Sequence, residues 1–301
     1  MSIIEVKNLT KDYGHGRGVF QVSFTVEQGE VFGFLGPNGA GKTTTIRHLM
    51  GFTRPQEGST SILGKDSWSK HHEVKQHIGY LPGEISLPDH LTGAGFIKQM
   101  AELRGIDNLS YAKELTERFA LDTSIKLKRM SLGTKRKLAI VTAFLHDPAV
   151  LLLDEPTGGL DPLMQDNFIQ FVKEEKKRGK TILLSSHIFS EVDATCDKIA
   201  IIKEGKLVST FLADEVKHNP QKKWKVEFVS TEEMNAFCEK GFEISFMEKE
   251  AKQVHVVFHH KDTSRLLSEL SKHKLNFFSE ISFSLEDHFM KFYGKEGETH
   301  V

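Results

Sequence analysis

The sequence predicts an α/β fold with a helical stretch inside it, followed by a small α+β unit. Three observations carry this. A short apolar strand, Glu30–Leu35, runs directly into a Gly-rich turn and then a helical pattern. Three further runs, Val150–Leu153, Thr181–Ser185 and Ile199–Ile202, are apolar almost throughout, as strands covered on both faces of a parallel sheet are. Near residue 215 the texture changes to alternating strands and short helices.

The elements follow in chain order. Ser2–Val6 and Val19–Val26 alternate in the manner of half-buried strands, and Gly29 closes the second. A helix is expected over Lys42–Met50, with Gly51 as its stop. Arg54–Gly58 is a turn. From about 85 to 148 the pattern is helical, clearest in Leu91–Arg104 and Ser110–Phe119. Phe168–Arg178 is a charged amphipathic helix. Polar Lys217–Lys223, with Pro220, reads as a linker between a first domain, 1–216, and a second, 224–301. In the second, Trp224–Val229, Val254–Phe258 and Ile281–Phe283 read as strands, and Thr231–Glu239 and Ser264–His273 as helices. Its aromatic residues Trp224, Phe228, Phe237, Phe242, Phe246 and Phe258 read as core. His255 and His259 fall on one strand face with His260 opposite, a solvated arrangement rather than a metal site.

Composition excludes several classes. Hydrophobic residues make up 39% and charged residues 27%, which is globular rather than disordered. Lys and Arg number 40 against 41 Asp and Glu, a net charge of -1, so no nucleic acid or anionic membrane is expected as a bulk partner. The cysteines Cys196 and Cys238 are too few for a disulfide framework and fit a reducing compartment. A membrane span needs ~20 apolar residues, and the longest aliphatic stretch, Ala149–Leu153, ends at Asp154. The first residues lack the basic-then-apolar order of a signal peptide. The chain is expected to be neither secreted nor membrane-spanning by itself.

The strongest motif is Gly36-Pro37-Asn38-Gly39-Ala40-Gly41-Lys42-Thr43-Thr44, which fits the phosphate-binding pattern G-x-x-x-x-G-K-[ST]. Its glycines let backbone N–H groups turn inward around phosphate oxygens, and the helix that follows presents its N-terminus to the same anion. Lys42 is expected to reach the terminal phosphates and Thr43 to hold Mg²⁺. The second motif is Val150-Leu151-Leu152-Leu153-Asp154-Glu155, an apolar strand ending in two carboxylates. Asp154 is placed to bind Mg²⁺, and Glu155 to orient and polarise an attacking water. Together the two motifs indicate a P-loop NTPase. Gly159-Leu160-Asp161-Pro162 follows closely, Ser185-Ser186-His187 ends the next strand, and Met130-Ser131-Leu132-Gly133-Thr134 precedes a basic helix start, Lys135-Arg136-Lys137. Alone, His187 reads as a surface or capping histidine.

In this order and spacing the chain resembles the ATP-binding subunit of an ABC transporter over residues 1 to 215. Gly79-Tyr80-Leu81-Pro82 and Leu285-Glu286-Asp287-His288-Phe289 resemble the branch that serves antibiotic and multidrug exporters, of the bacitracin-export type. The resemblance implies a mixed sheet core with a helical subdomain, ATP and Mg²⁺ as ligands, and catalysis by Glu155, His187 and Lys42. It also implies an adenine stack on Tyr13, with a core tyrosine at a strand end as the alternative. Ser131, Gly133 and Asp161 would act across a dimer of two such subunits. The work would pass to a separate membrane permease, placing the chain at the cytoplasmic face of the cell membrane.

Two departures from the family pattern stand out. Leu132 and Thr134 replace the first Gly and the Gln of the signature Leu-Ser-Gly-Gly-Gln. Gly83 stands where the family has a Gln linking Mg²⁺ to the permease, and Glu84 is the candidate substitute. The permease-docking surface is expected near Gly83 to Leu91. The alternatives are a soluble ATPase of this type acting on nucleic acid or ribosomes, and an ATP-driven regulatory switch.

Overall fold

A computed structural model describes residues 1–217 and 221–281, together with Leu285, Glu286, Phe289 and Met290. The chain divides into a first unit, Met1–Ala213, and a second from Asp214 onward.

The first unit opens with β1 (Ser2–Asp12) and β2 (Gly18–Glu27), which pair antiparallel. Next come β3 (Val31–Leu35), α1 (Lys42–Leu49), β4 (Glu57–Ile62), the two-residue β5 (Lys65–Asp66), α2 (His71–His77) and β6 (Ile78–Leu81). The helical stretch holds α3 (Gly93–Leu103), α4 (Ser110–Arg118) and α5 (Leu132–Phe144). The unit then runs through β7 (Val150–Asp154), α6 (Pro162–Lys177), β8 (Thr181–Ser186), α7 (Phe189–Thr195), β9 (Lys198–Lys203) and β10 (Lys206–Leu212).

Among the described residues, one sheet has the order β2-β1-β4-β5 and the other β10-β9-β3-β8-β7-β6. The second is parallel except where β10 turns back on β9, so the core is a mixed sheet. β3 and β7 are buried at every position, which explains their uninterrupted apolar runs. The two sheets share one core. Phe24 of β2 stacks on Phe32 of β3 at 4.9 Å and leans on Phe34 at 5.4 Å.

The second unit contains β11 (Gln221–Phe228), α9 (Thr231–Cys238), β12 (Glu243–Glu248), β13 (Gln253–His259), α10 (Thr263–Leu270) and β14 (Leu275–Ile281), after a short helix α8 (Ala213–Lys217). Its antiparallel sheet has the order β12-β13-β11-β14. Val226, Phe228, Val254 and Val256 meet Met234 and Phe237 of α9 and Leu266 of α10 in a separate core.

The structure moves several expected boundaries. Helix α6 starts at Pro162 rather than Phe168, because the Asp161 carboxylate accepts the Met164 N–H at 3.0 Å and Pro162 sits at the first helical position. Gln221–Lys223 are not linker but the start of β11, a central strand held between β13 and β14. Lys217 closes α8, and linker residues 218–220 lie outside the described residues. The last described strand is Leu275–Ile281, and Ser282 and Phe283 of the expected strand lie outside the described residues, as do Asp287, His288 and residues 291–301. Phe246 is not core: it is 45% exposed, with its ring 4.7 Å from that of His255. His260 is not on the far strand face, since it opens a 3-10 turn with its ring 4.4 Å from that of His259.

Candidate nucleotide site

Parallel strands bring their C-terminal ends to one edge, and ligands of such sheets gather there. Leu35 of β3 is in register with Ser186 of β8, and Asp154 of β7 with Ser185. The Gly-rich loop, the acidic pair and the Ser186-His187 step therefore meet. The loop needs its glycines. A Cβ at Gly36 would lie 2.5 Å from the Ile202 carbonyl oxygen, and Gly41 has φ +112 with a Cβ position 2.8 Å from Val19. Helix α1 begins directly after, without a side-chain cap, so its first N–H groups remain available to an anion.

Lys42 is 5% exposed. Its ammonium donates to the carbonyls of Gly36 at 2.6 Å and Pro37 at 3.1 Å, and pairs with the Glu155 carboxylate at 2.9 Å. Thr43 Oγ1 donates to Asp154 Oδ2 at 2.8 Å, and the buried Asp154 also accepts the Ser185 hydroxyl. Glu155 has φ +50, an unusual conformation for a non-glycine residue. Its N–H donates to the Ser185 carbonyl at 3.0 Å, and its own carbonyl accepts the Gly158 N–H at 3.1 Å. The second oxygen of its carboxylate meets His187 Nδ1. Glu155 thus lies between a buried cation and an imidazole that is about half exposed.

A cleft of about 470 Å³ is lined by Pro37, Asn38, Gly39, Gly41, Lys42, Thr43 and Thr44 on one side and by Asp154 and Glu155 on another. Gly36 and Ala40 shape the loop from behind: Ala40 is buried, and its carbonyl accepts the Gly205 N–H at 2.9 Å. Glu84 is exposed and lines the cleft beside Gly83. Arg47, Tyr80 and Pro82 line it too, though the sequence reading assigned them no role there. Burial pushes the Tyr80 phenol up to about 12, and the Asp154 charge adds to this, so the phenol stays protonated.

Tyr13, Ser131, Gly133 and Asp161 do not line this cleft, and neither does His187, which reaches Glu155 instead. Tyr13 is 53% exposed, with Lys11 Nζ 5.7 Å from its ring centre, so it is not a core tyrosine. Ser131 caps α5, its hydroxyl accepting the Thr134 N–H at 3.2 Å. Gly133 lies so close to the Gly159 carbonyl that a Cβ would stand 2.8 Å from it. Asp161 caps α6. Tyr13, Ser131, Gly133 and Asp161 all belong to the first unit.

Comparison with known proteins assigns this arrangement. The family model described as ABC transporter matches residues 19–158. The bacitracin transport ATP-binding protein BcrA of Bacillus licheniformis is 33% identical over 299 residues, which covers 97% of this chain and 98% of that one. The chain belongs to the ABC transporter family. The cassette is also 38% identical over 214 residues to the uncharacterized ABC transporter ATP-binding protein YhcH of Bacillus subtilis, 69% of each chain. A solved ATP-binding subunit of an ABC transporter superposes with a TM-score of 0.66 at 32% identity, covering 72% of this chain and 92% of that one. The expected fold, a P-loop ABC ATPase cassette with a mixed sheet and helical subdomain, is the fold the structure has, and the cassette is an ATP-binding, ATP-hydrolysing subunit.

Arg136 and Glu191 are buried charged residues whose partners lie in the segments around the cleft. Arg136, in the basic helix start, is 4% exposed, and its guanidinium donates to the carbonyls of Gly158, Pro82 and Gly83. Glu191, on α7, is 2% exposed and accepts the Ser186 hydroxyl at 2.6 Å. No spacing rule marks either. Burial raises the Glu191 carboxyl to about 7, with hydrogen bonding by Ser186 opposing it and the Glu155 charge adding to it.

A carboxyl whose folded value lies above its unfolded one contributes its stability in full at low pH, and that contribution is lost as pH rises towards 7. Glu191→Gln, which stays neutral, will lose less stability than the wild type on going from about pH 5 to about pH 8. Thermal unfolding of both proteins at the two pH values measures this. Equal losses would show that Glu191 ionises without cost.

Proposed function

We propose that the cassette hydrolyses MgATP at the Glu155 site and so powers a separate membrane permease that exports an antibiotic-like compound. The observation that carries the catalytic part is the placement of Glu155, held in a strained turn with its carboxylate shared between Lys42 and His187. The match to the bacitracin transport protein supports the transport part, because it runs through the second unit as well as the first. No helix among the described residues is long and apolar enough to cross a membrane.

The residues fit the ligands. The backbone N–H groups of the loop and the start of α1 suit phosphate oxygens. The adjoining oxygens of Thr43 and Asp154 suit Mg²⁺, a cation that prefers few protein ligands and keeps the phosphates as others. When bound, Mg²⁺ neutralises charge developing on the phosphates. A terminal phosphate competes with Glu155 for the Lys42 ammonium. Binding therefore draws Lys42 away and leaves Glu155 free to take a proton from water. His187, already on the other carboxylate oxygen, orients that group and senses the phosphate. Tyr13 offers its exposed ring to adenine. Ser131, Gly133 and Asp161 serve a second cassette, in a head-to-tail dimer whose two ATP molecules each lie between chains. The second unit is an accessory domain of this subunit.

The test is a pull-down of tagged Glu155→Gln from native membranes in MgATP. One multi-span protein in near-stoichiometric yield supports the transporter reading and identifies the permease. Recovery of soluble partners alone, or of none, would point instead to an ATPase working away from membranes.

A further inference from the structure

Arg136 is a buried cation with three backbone partners. Its Nε donates to the Gly158 carbonyl at 3.0 Å, Nη1 to Pro82 at 2.8 Å and Nη2 to Gly83 at 2.6 Å. The three acceptors belong to two segments far apart in the chain. Pro82 and Gly83 follow β6 and line the cleft. Gly158 closes the turn that opens with Glu155, through its N–H to the Glu155 carbonyl at 3.1 Å. Arg136 itself rides on α5, the helix that Ser131 caps.

We propose that Arg136 is the positioning residue that clamps the Glu155 turn and the Pro82–Gly83 segment to α5, so that all three move as one body. The inference rests on reading Glu155 as the group that activates water. Three features support it. The three carbonyls are only half-buried, but the guanidinium that meets them is buried, and its planar fork supplies several donors at fixed angles where a lysine ammonium cannot. Asp154 also lies against Gly83, since a Cβ there would stand 3.1 Å from Oδ2. The segment thus meets both the carboxylate that accepts from Thr43 and the guanidinium on α5. A second contact fixes α5 to the same loop, because a Cβ at Gly133 would lie 2.8 Å from the Gly159 carbonyl and one at Gly159 would lie 3.0 Å from the Leu132 side chain. The backbone of Gly83 therefore connects the acidic pair to the segment after β6 without needing a side chain at that position.

In a head-to-tail dimer the clamp has a further consequence. The Glu155 turn serves the cassette's own ATP, while Ser131 and Gly133 on α5 serve the partner's. Arg136 joins them within one chain, so the geometry at one nucleotide bears on closure over the other.

The experiment compares the wild type, Arg136→Lys, Arg136→Gln and Glu155→Gln, full-length, by steady-state MgATP turnover and by amide hydrogen exchange. Expected for both Arg136 variants is a fall in kcat of at least about tenfold with KM for ATP changed by less than about threefold, the lysine failing to rescue. Exchange should rise in the peptides holding 82–84 and 157–160 and stay at wild-type levels in those holding 36–50. A kcat within about twofold of wild type, or unchanged exchange at 82–84 and 157–160, overturns the clamp. A uniform rise that includes 36–50 also overturns it, since Arg136 would then be a general core residue. Near-wild-type turnover in Glu155→Gln would instead refute the reading beneath it, whatever the Arg136 variants do.

Discussion

Glu155→Gln will still bind MgATP and will hydrolyse it about 10²–10⁴-fold more slowly, the usual cost of losing a general base. The substitution is close to isosteric, so the geometry around it should persist. The φ +50 turn is held by main-chain bonds, from the Glu155 N–H to Ser185 and from the Gly158 N–H back to Glu155, and neither uses the carboxylate. The amide oxygen can still accept from Lys42. What is lost is the negative charge that would take a proton. Phosphate release at saturating MgATP measures the rate, and nucleotide binding on the same preparation shows that the cleft is intact. Turnover near the wild-type rate would place the base elsewhere, with His187 the next group to test because it already touches the same carboxylate.

The parts of this site that were legible in the sequence are those set by local geometry. The phosphate loop is a run of consecutive residues whose glycines answer to close contacts with Ile202 and Val19, so its spacing alone identifies it. Asp154 and Glu155 were legible because they end a strand buried at every position, and a carboxylate pair at such a tip has few structural purposes. Arg136 was not. It sits in Lys135-Arg136-Lys137, which reads as a solvated basic start, and its partners Pro82 and Gly83 lie more than fifty residues away in sequence. Glu191 was hidden for the same reason, since a helical glutamate looks exposed until the fold buries it. The strands that were missed are mostly the exposed ones. β10 alternates between exposed and half-buried positions, and β12 is exposed at all but one, so neither carries a strong apolar pattern. Polar Gln221–Lys223 imitates a linker, yet all three residues pair with β13 and Lys223 pairs with β14 as well.

Lys42→Ala should fail at an earlier step than Glu155→Gln, in binding itself. A charge-assisted hydrogen bond contributes roughly 1.5–3 kcal/mol, which corresponds to a loss of about 10- to 150-fold in ATP affinity. The ammonium also neutralises Glu155 at 2.9 Å, so the variant leaves that carboxylate facing incoming phosphate without its cation. Two anions would then meet in one cleft, and the penalty falls on the triphosphate most because its terminal group comes nearest. Affinity for ATP should therefore drop more than affinity for ADP. Glu155→Gln removes the anion and should recover part of the loss when added to Lys42→Ala, a non-additive pair as expected for groups in contact. Equilibrium binding of ATP and ADP to the two single variants and the double variant decides this. Equal losses for both nucleotides, with no recovery in the double variant, would mean that Lys42 serves the loop through Gly36 and Pro37 rather than the terminal phosphate.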